Sequence, residues 1–74
     1  MKDERVTLLD LVLVHSTYKA YLIEDSRGVE AWIPYSQIED LQWGDEIIDE
    51  HGRRVKEIKR MSLPEWLVEK SNIL

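Results

Sequence analysis

Residues 28–38, Gly-Val-Glu-Ala-Trp-Ile-Pro-Tyr-Ser-Gln-Ile, alternate apolar and polar side chains up to a proline. Successive side chains of an extended strand point to opposite faces. Val29, Ala31 and Ile33 therefore share one side, and Glu30, Trp32 and Pro34 the other. Pro34 cannot donate to a ladder, so it marks a strand end or an edge. Ser36 offers an oxygen to cap a short turn running to Ile38. Upstream, residues 19–24 form a second extended run, joined through Asp25-Ser26-Arg27-Gly28, a turn ending in glycine. A turn of that length sets Glu24 against Val29, Leu22 against Ala31, Tyr21 against Trp32, Ala20 against Ile33 and Lys19 against Pro34. One face of the hairpin then carries Tyr21 and Trp32 as a cross-strand pair, worth roughly 0.2–1 kcal/mol, flanked by Ile23 and Lys19. The other carries Ala20, Leu22, Val29, Ala31 and Ile33.

The remaining segments point to a β-rich domain. In residues 6–15 a strand places Leu9, Leu11 and Leu13 on one face and Leu8, Val12 and Val14 beside Asp10 on the other. A helix would gather Val6, Leu9 and Leu13 instead; Val12 and Val14 favour the pleated surface. Residues 41–44 read as a loop ending in Gly-Asp, and 45–49 as a short strand with Ile47 and Ile48. Glu50-His51-Gly52 turns the chain. Residues 54–61 return as a strand, and the three-residue spacing of Val55, Ile58 and Met61 predicts a bulge near Lys56. Ser62-Leu63-Pro64-Glu65 has the spacing of a capping box, predicting a helix over 62–74. That helix would bury Leu63, Trp66 and Leu67, with Ile73 and Leu74 closing its face. Residues 1–5 are expected to be a solvated end. The expected fold is mainly β, in one domain: a small open β-barrel or strongly twisted sheet, OB-like or SH3-like, of about five strands with a C-terminal α-helix. A mixed α+β arrangement with a helical N-terminus is the alternative.

Seventy-four residues lie near the lower limit for a single core, and the chain has no cysteine. Neither disulfides nor a thiolate zinc site can assist, which points to a reducing compartment, the cytoplasm. A chain this short needs a compact core or a second subunit, so a homo-oligomer is one expectation. The start, Met-Lys-Asp-Glu-Arg, is too acidic for a secretory leader, and the apolar run 8–14 is interrupted by Asp10 and too short for a bilayer. No membrane association is expected. The net charge of −5 is segregated along the chain. Between residues 36 and 51 lie six acids, Glu39, Asp40, Asp45, Glu46, Asp49 and Glu50, and no lysine or arginine. Between 53 and 60 lie five bases, Arg53, Arg54, Lys56, Lys59 and Arg60, against Glu57.

Three groups of residues are candidates for function. Tyr21, Trp32 and Tyr35 near Lys19 would make a stacking platform for bases; alternatively Tyr21 and Trp32 are core beneath the helix. The basic run led by Arg53, Arg54 and Lys56 would contact phosphates, or be a solvated hairpin face. The six acids would dock a basic protein surface or imitate a phosphate backbone, or serve solubility alone. His15 and His51 lie far apart without a partnering histidine or cysteine, so no metal site is expected. There is no cysteine nucleophile, glycine-rich phosphate loop or Ser-His-Asp arrangement. A non-enzyme without cofactor is the expectation.

Two resemblances follow from these residues. Lys19-Ala20, Leu22-Ile23-Glu24, Trp32-Ile33-Pro34-x-Ser36-Gln37-Ile38 and Pro64-x-Trp66-Leu67-x-Glu69-Lys70 resemble a group of small uncharacterised proteins from bacteriophages and other mobile elements. Gly28-Val29-Glu30, Ile33-Pro34-Tyr35-Ser36 and Gly44-Asp45-Glu46 are similar in order to segments of OB-type RNA-binding barrels. The first resemblance implies a phage or mobile-element origin, hence a host cytoplasm, and names no activity. The leading expectation is a small interaction module that binds and modulates a protein partner. The alternative is a single-stranded nucleic-acid binder using the Tyr21/Trp32 face and the basic run.

Overall fold

A computed structural model of the chain describes residues 4–73. Expectations for residues 1–3 of the solvated end, and for Leu74 on the helical face, lie outside the described residues. The fold is mainly β, as expected: among the described residues, five antiparallel strands in one unclosed sheet, followed by one helix. The strands are β1 (Arg5–Ser16), β2 (Ala20–Glu24), β3 (Glu30–Pro34), β4 (Glu39–Ile48) and β5 (Arg54–Pro64), with α1 at Glu65–Ser71. A single 3₁₀ turn, Tyr35–Gln37, joins β3 to β4. The order across the sheet is β3-β2-β1-β5-β4, so the first and last strands pair at its centre.

The alternation in β3 is as read from sequence: Ile33 is buried and Ala31 partly buried, while Glu30, Trp32 and Pro34 are exposed. The register of the hairpin is shifted by one. Tyr21 lies opposite Ile33, Leu22 opposite Trp32, Ile23 opposite Ala31 and Glu24 opposite Glu30. The reason is the turn. Asp25 N–H donates to Val29 O (3.0 Å), closing a three-residue loop in which Gly28 takes φ +86°. A loop one residue shorter than the four-residue turn expected from sequence moves every partner by one and puts Tyr21 and Trp32 on opposite faces.

The three-residue apolar spacing also has a structural cause. Leu8 and Leu11 are both buried on β1 because Asp10 between them adopts φ +59°. They face Met61 and Ile58 of β5, and Asp10 and Lys59 between them drop out of the ladder. On the other side β4 also skips Lys59, passing from Gln42↔Arg60 to Trp43↔Ile58. The expected irregularity thus lies at Lys59 rather than Lys56, where three strands share one break. Such breaks bend a sheet and raise its twist. Residues 41–44, read as a loop, belong to β4. Two stretches of β4 set three residues against two of β5: one contains Asp40 (φ +52°), the other Gly44. A Cβ on Gly44 would stand 2.8 Å from that of Glu57.

The core is aliphatic: Leu8, Leu11, Ile23, Ile33, Ile58, Met61 and Leu63 from the sheet meet Leu67, Val68 and Ile73 from the C-terminal segment. α1 packs on β5, β1 and β3. It is shorter than the expected 62–74, and Ser62 does not cap it. Ser62 is a strand residue paired with Thr7 and Glu39, and its Oγ accepts from Arg5 Nε (3.0 Å). Pairing on both sides outweighs one capping bond. Pro64 starts the helix, Glu65 N–H donates to Glu4 O (2.8 Å), and Asn72 in the left-handed region ends it. Trp66, expected in the buried face, is 48% exposed.

Candidate functional site: an aromatic cavity beside an acidic edge strand

Tyr21 of β2 and Trp43 of β4 are 5.5 Å apart, ring centre to ring centre, and nearly perpendicular. Two strands lie between theirs in the sheet, and at about 4.8 Å per strand a flat sheet would hold them roughly 14 Å apart. The sheet therefore curls until its two halves touch through side chains. Tyr35, carried by the 3₁₀ turn, packs on Tyr21 at 4.5 Å, and its hydroxyl donates to Thr17 O. Lys56 places Nζ 4.9 Å from the Trp43 ring centre, within cation–π range. Beside these rings is a cavity of about 220 Å³ lined by Tyr21, Tyr35, Ile38, Glu39, Asp40 and Leu41.

Of the expected platform, Tyr21 and Tyr35 come together, while Trp32 lies on the other face with its ring edge-on to His15 at 6.1 Å. Trp32 is 49% exposed and is not part of the core. Lys19 is exposed, its ammonium 5.3 Å from the ring centre of Tyr18. Trp43 and Leu41 are the members the sequence reading missed. Leu41-Gln42-Trp43 already shows the strand alternation that would have found them.

The basic run is divided. Arg53 is engaged within the chain: Nε donates to Asp49 Oδ2 (2.8 Å), and Nη2 and Nη1 reach Glu24 (3.2 Å) and Glu30 (3.5 Å). Hydrogen bonds to Asp49 and Glu24 raise the guanidinium pKa above its ordinary value. Arg54 is exposed opposite Ile48, and Lys56 lies opposite Glu46. The acids divide likewise. Asp49 closes the β4–β5 turn, accepting from the backbone N–H of His51 (2.9 Å) and Arg53 (2.8 Å). Burial pushes its carboxyl up, but the hydrogen bonds from Arg53 and His51 and the Arg53 charge outweigh this and hold it below the ordinary range. Glu39 is 3.6 Å from Arg5. Asp40, Asp45, Glu46 and Glu50 are exposed, and among the described residues no cation lies within ion-pair distance of them.

Among the described residues no three His, Asp or Glu side chains are grouped to hold a metal ion, and no helix is long and apolar enough to cross a membrane. What the arrangement offers is recognition: an edge strand with unpaired carboxylates beside an aromatic cavity. No protein-family model, curated protein or solved structure matches the chain, so its function is argued from its own residues.

Proposed function

We propose that the chain is a small non-enzymatic interaction module of phage or mobile-element origin that binds a basic protein surface along β4 and modulates that partner. The observation that supports this is the row of carboxylates on the edge strand β4 that make no ion pair among the described residues. Arg53, which opens the basic run, is held by three carboxylates. Asp40, Asp45 and Glu46 stand on an edge strand with no cation of their own among the described residues. Opposed potentials steer encounter and fix register. A net charge of −5 favours a basic partner and opposes a phosphate backbone.

The test compares a labelled lysine/arginine-rich peptide with labelled single-stranded DNA and RNA at low and moderate salt. The peptide is expected to bind, to weaken as salt rises, and to lose affinity in Asp45→Asn/Glu46→Gln. Oligonucleotide binding that falls steeply with salt and is abolished in Arg54→Ala/Lys56→Ala would replace this reading with nucleic-acid binding. Arg53 is unsuitable for that variant because it joins two hairpins.

A further inference from the structure

The cavity at the end of β4 combines three features that together select one kind of guest. Its walls include the rings of Tyr21 and Tyr35 and the aliphatic side chains of Ile38 and Leu41. Its rim carries Asp40, exposed and without an ion-pair partner among the described residues, and Glu39, already 3.6 Å from Arg5. Its volume, about 220 Å³, falls below the roughly 300–1,000 Å³ of ordinary small-molecule sites, which suits one long side chain. The cluster already holds one cation over a ring, since Lys56 Nζ stands 4.9 Å from the centre of Trp43.

We infer that this cavity seats one arginine side chain of the basic partner, its stem against Ile38 and Leu41, its guanidinium stacked on the tyrosine rings and bonded to Asp40. The inference rests on the reading of β4 as a docking edge and adds the side chain recognised there. A guanidinium is preferred to an ammonium because it is planar, stacks on aromatic faces, is more weakly hydrated and meets a carboxylate with two parallel N–H donors. Asp40 belongs to a three-against-two irregularity of β4 and takes φ +52°. Asparagine tolerates that conformation as aspartate does, so Asp40→Asn removes charge without forcing the backbone.

The experiment is a ¹H–¹⁵N NMR titration of the whole chain with a capped pentapeptide carrying one central arginine, against versions carrying citrulline and lysine. Citrulline keeps the planar shape and loses the charge. The arginine peptide is expected to produce saturable shifts at the amides of residues 21, 35, 38, 40 and 41 and at the Trp43 indole. Binding should weaken by about tenfold or more with citrulline and in Asp40→Asn, less with lysine, and be unchanged in Glu69→Gln, an exposed carboxylate on α1. Equal binding of the citrulline peptide, or indifference to Asp40→Asn, overturns the arginine seat. Shifts confined to the neighbourhood of Asp45 and Glu46 overturn the seat and leave the acidic docking edge standing. No shift anywhere along β4 removes both.

Discussion

On α1, Leu67 is buried while the adjacent Trp66 keeps about half its surface in water, as does Trp32 on β3. A chain with three tryptophans and no phenylalanine invites the expectation that tryptophan fills the core. The space beneath a seven-residue helix is instead filled by Leu, Ile, Val and Met, and tryptophan, being large, is rarely buried entirely. Leu67→Ala is therefore expected to cost roughly 2–5 kcal/mol, and Trp66→Ala and Trp32→Ala each less than half of the ~3–5 kcal/mol typical of a fully buried tryptophan. Urea midpoints at unchanged slope measure the difference; a larger loss at Trp66 than at Leu67 would contradict the placement of α1. At the same scale, part of the candidate site was legible. Tyr35 and the acids of residues 36–51 were identified by type, but whether an acid is unpaired like Asp40 or engaged like Asp49 depends on which cations the fold brings near.

The two hairpin turns are built alike. In Asp25-Ser26-Arg27-Gly28 and Asp49-Glu50-His51-Gly52, the glycine N–H donates to the aspartate O (3.0 Å in each), and the aspartate Oδ1 accepts two backbone N–H groups. Both glycines have positive φ, +86° and +79°. The spacing Asp-x-x-Gly is visible in both stretches of sequence, and the strands flanking the first turn, β2 and β3, lie where the sequence put them. What the residues alone left open was the loop length, and with it the register that separates Tyr21 from Trp32. β4 was harder, because its two three-against-two irregularities break the alternation by which a strand is read. Ser62 fits a helix-cap pattern locally and was claimed by the sheet, a long-range effect invisible in a four-residue window. If the left-handed backbone is what Gly52 supplies, Gly52→Ala should cost about 1–2 kcal/mol, whereas Gly52→Asn should cost much less. Equal losses for the two would mean that another property of the site decides. No heavy atom lies within 4 Å of a Cβ built there, so a clash does not confuse the result.

Across the whole molecule, the unclosed sheet of a 74-residue chain without cysteine is held in its curl by side chains, and arginines make the longest joins. Arg5 binds Ser62 and the carbonyl of Gln37 (2.7 Å), tying β1 to β5 and to the 3₁₀ turn. Arg27 reaches Asn72 O (2.7 Å), tying the β2–β3 turn to the end of α1. Arg53 joins the β4–β5 turn to Glu24 and Glu30, at the mouth of the other hairpin. None of these pairings could be read from sequence, because each links segments whose proximity exists only once the sheet has curled. The Arg53 join makes a prediction about acid. The Asp49 carboxyl titrates below its ordinary value of 3.8 in the folded chain, so its contribution to stability is fully present above that value and is lost as pH falls through the lowered one. Asp49→Asn keeps an oxygen for the N–H groups of His51 and Arg53 and loses the charge and the Oδ2 acceptor that face the guanidinium. Wild type should melt above the variant by a constant margin from neutral pH down to about pH 5, and that margin should close below pH 3.8. Thermal unfolding followed by circular dichroism across this range measures it. A margin that persists unchanged into acid would show that the charge of Asp49 does not hold the two hairpins together.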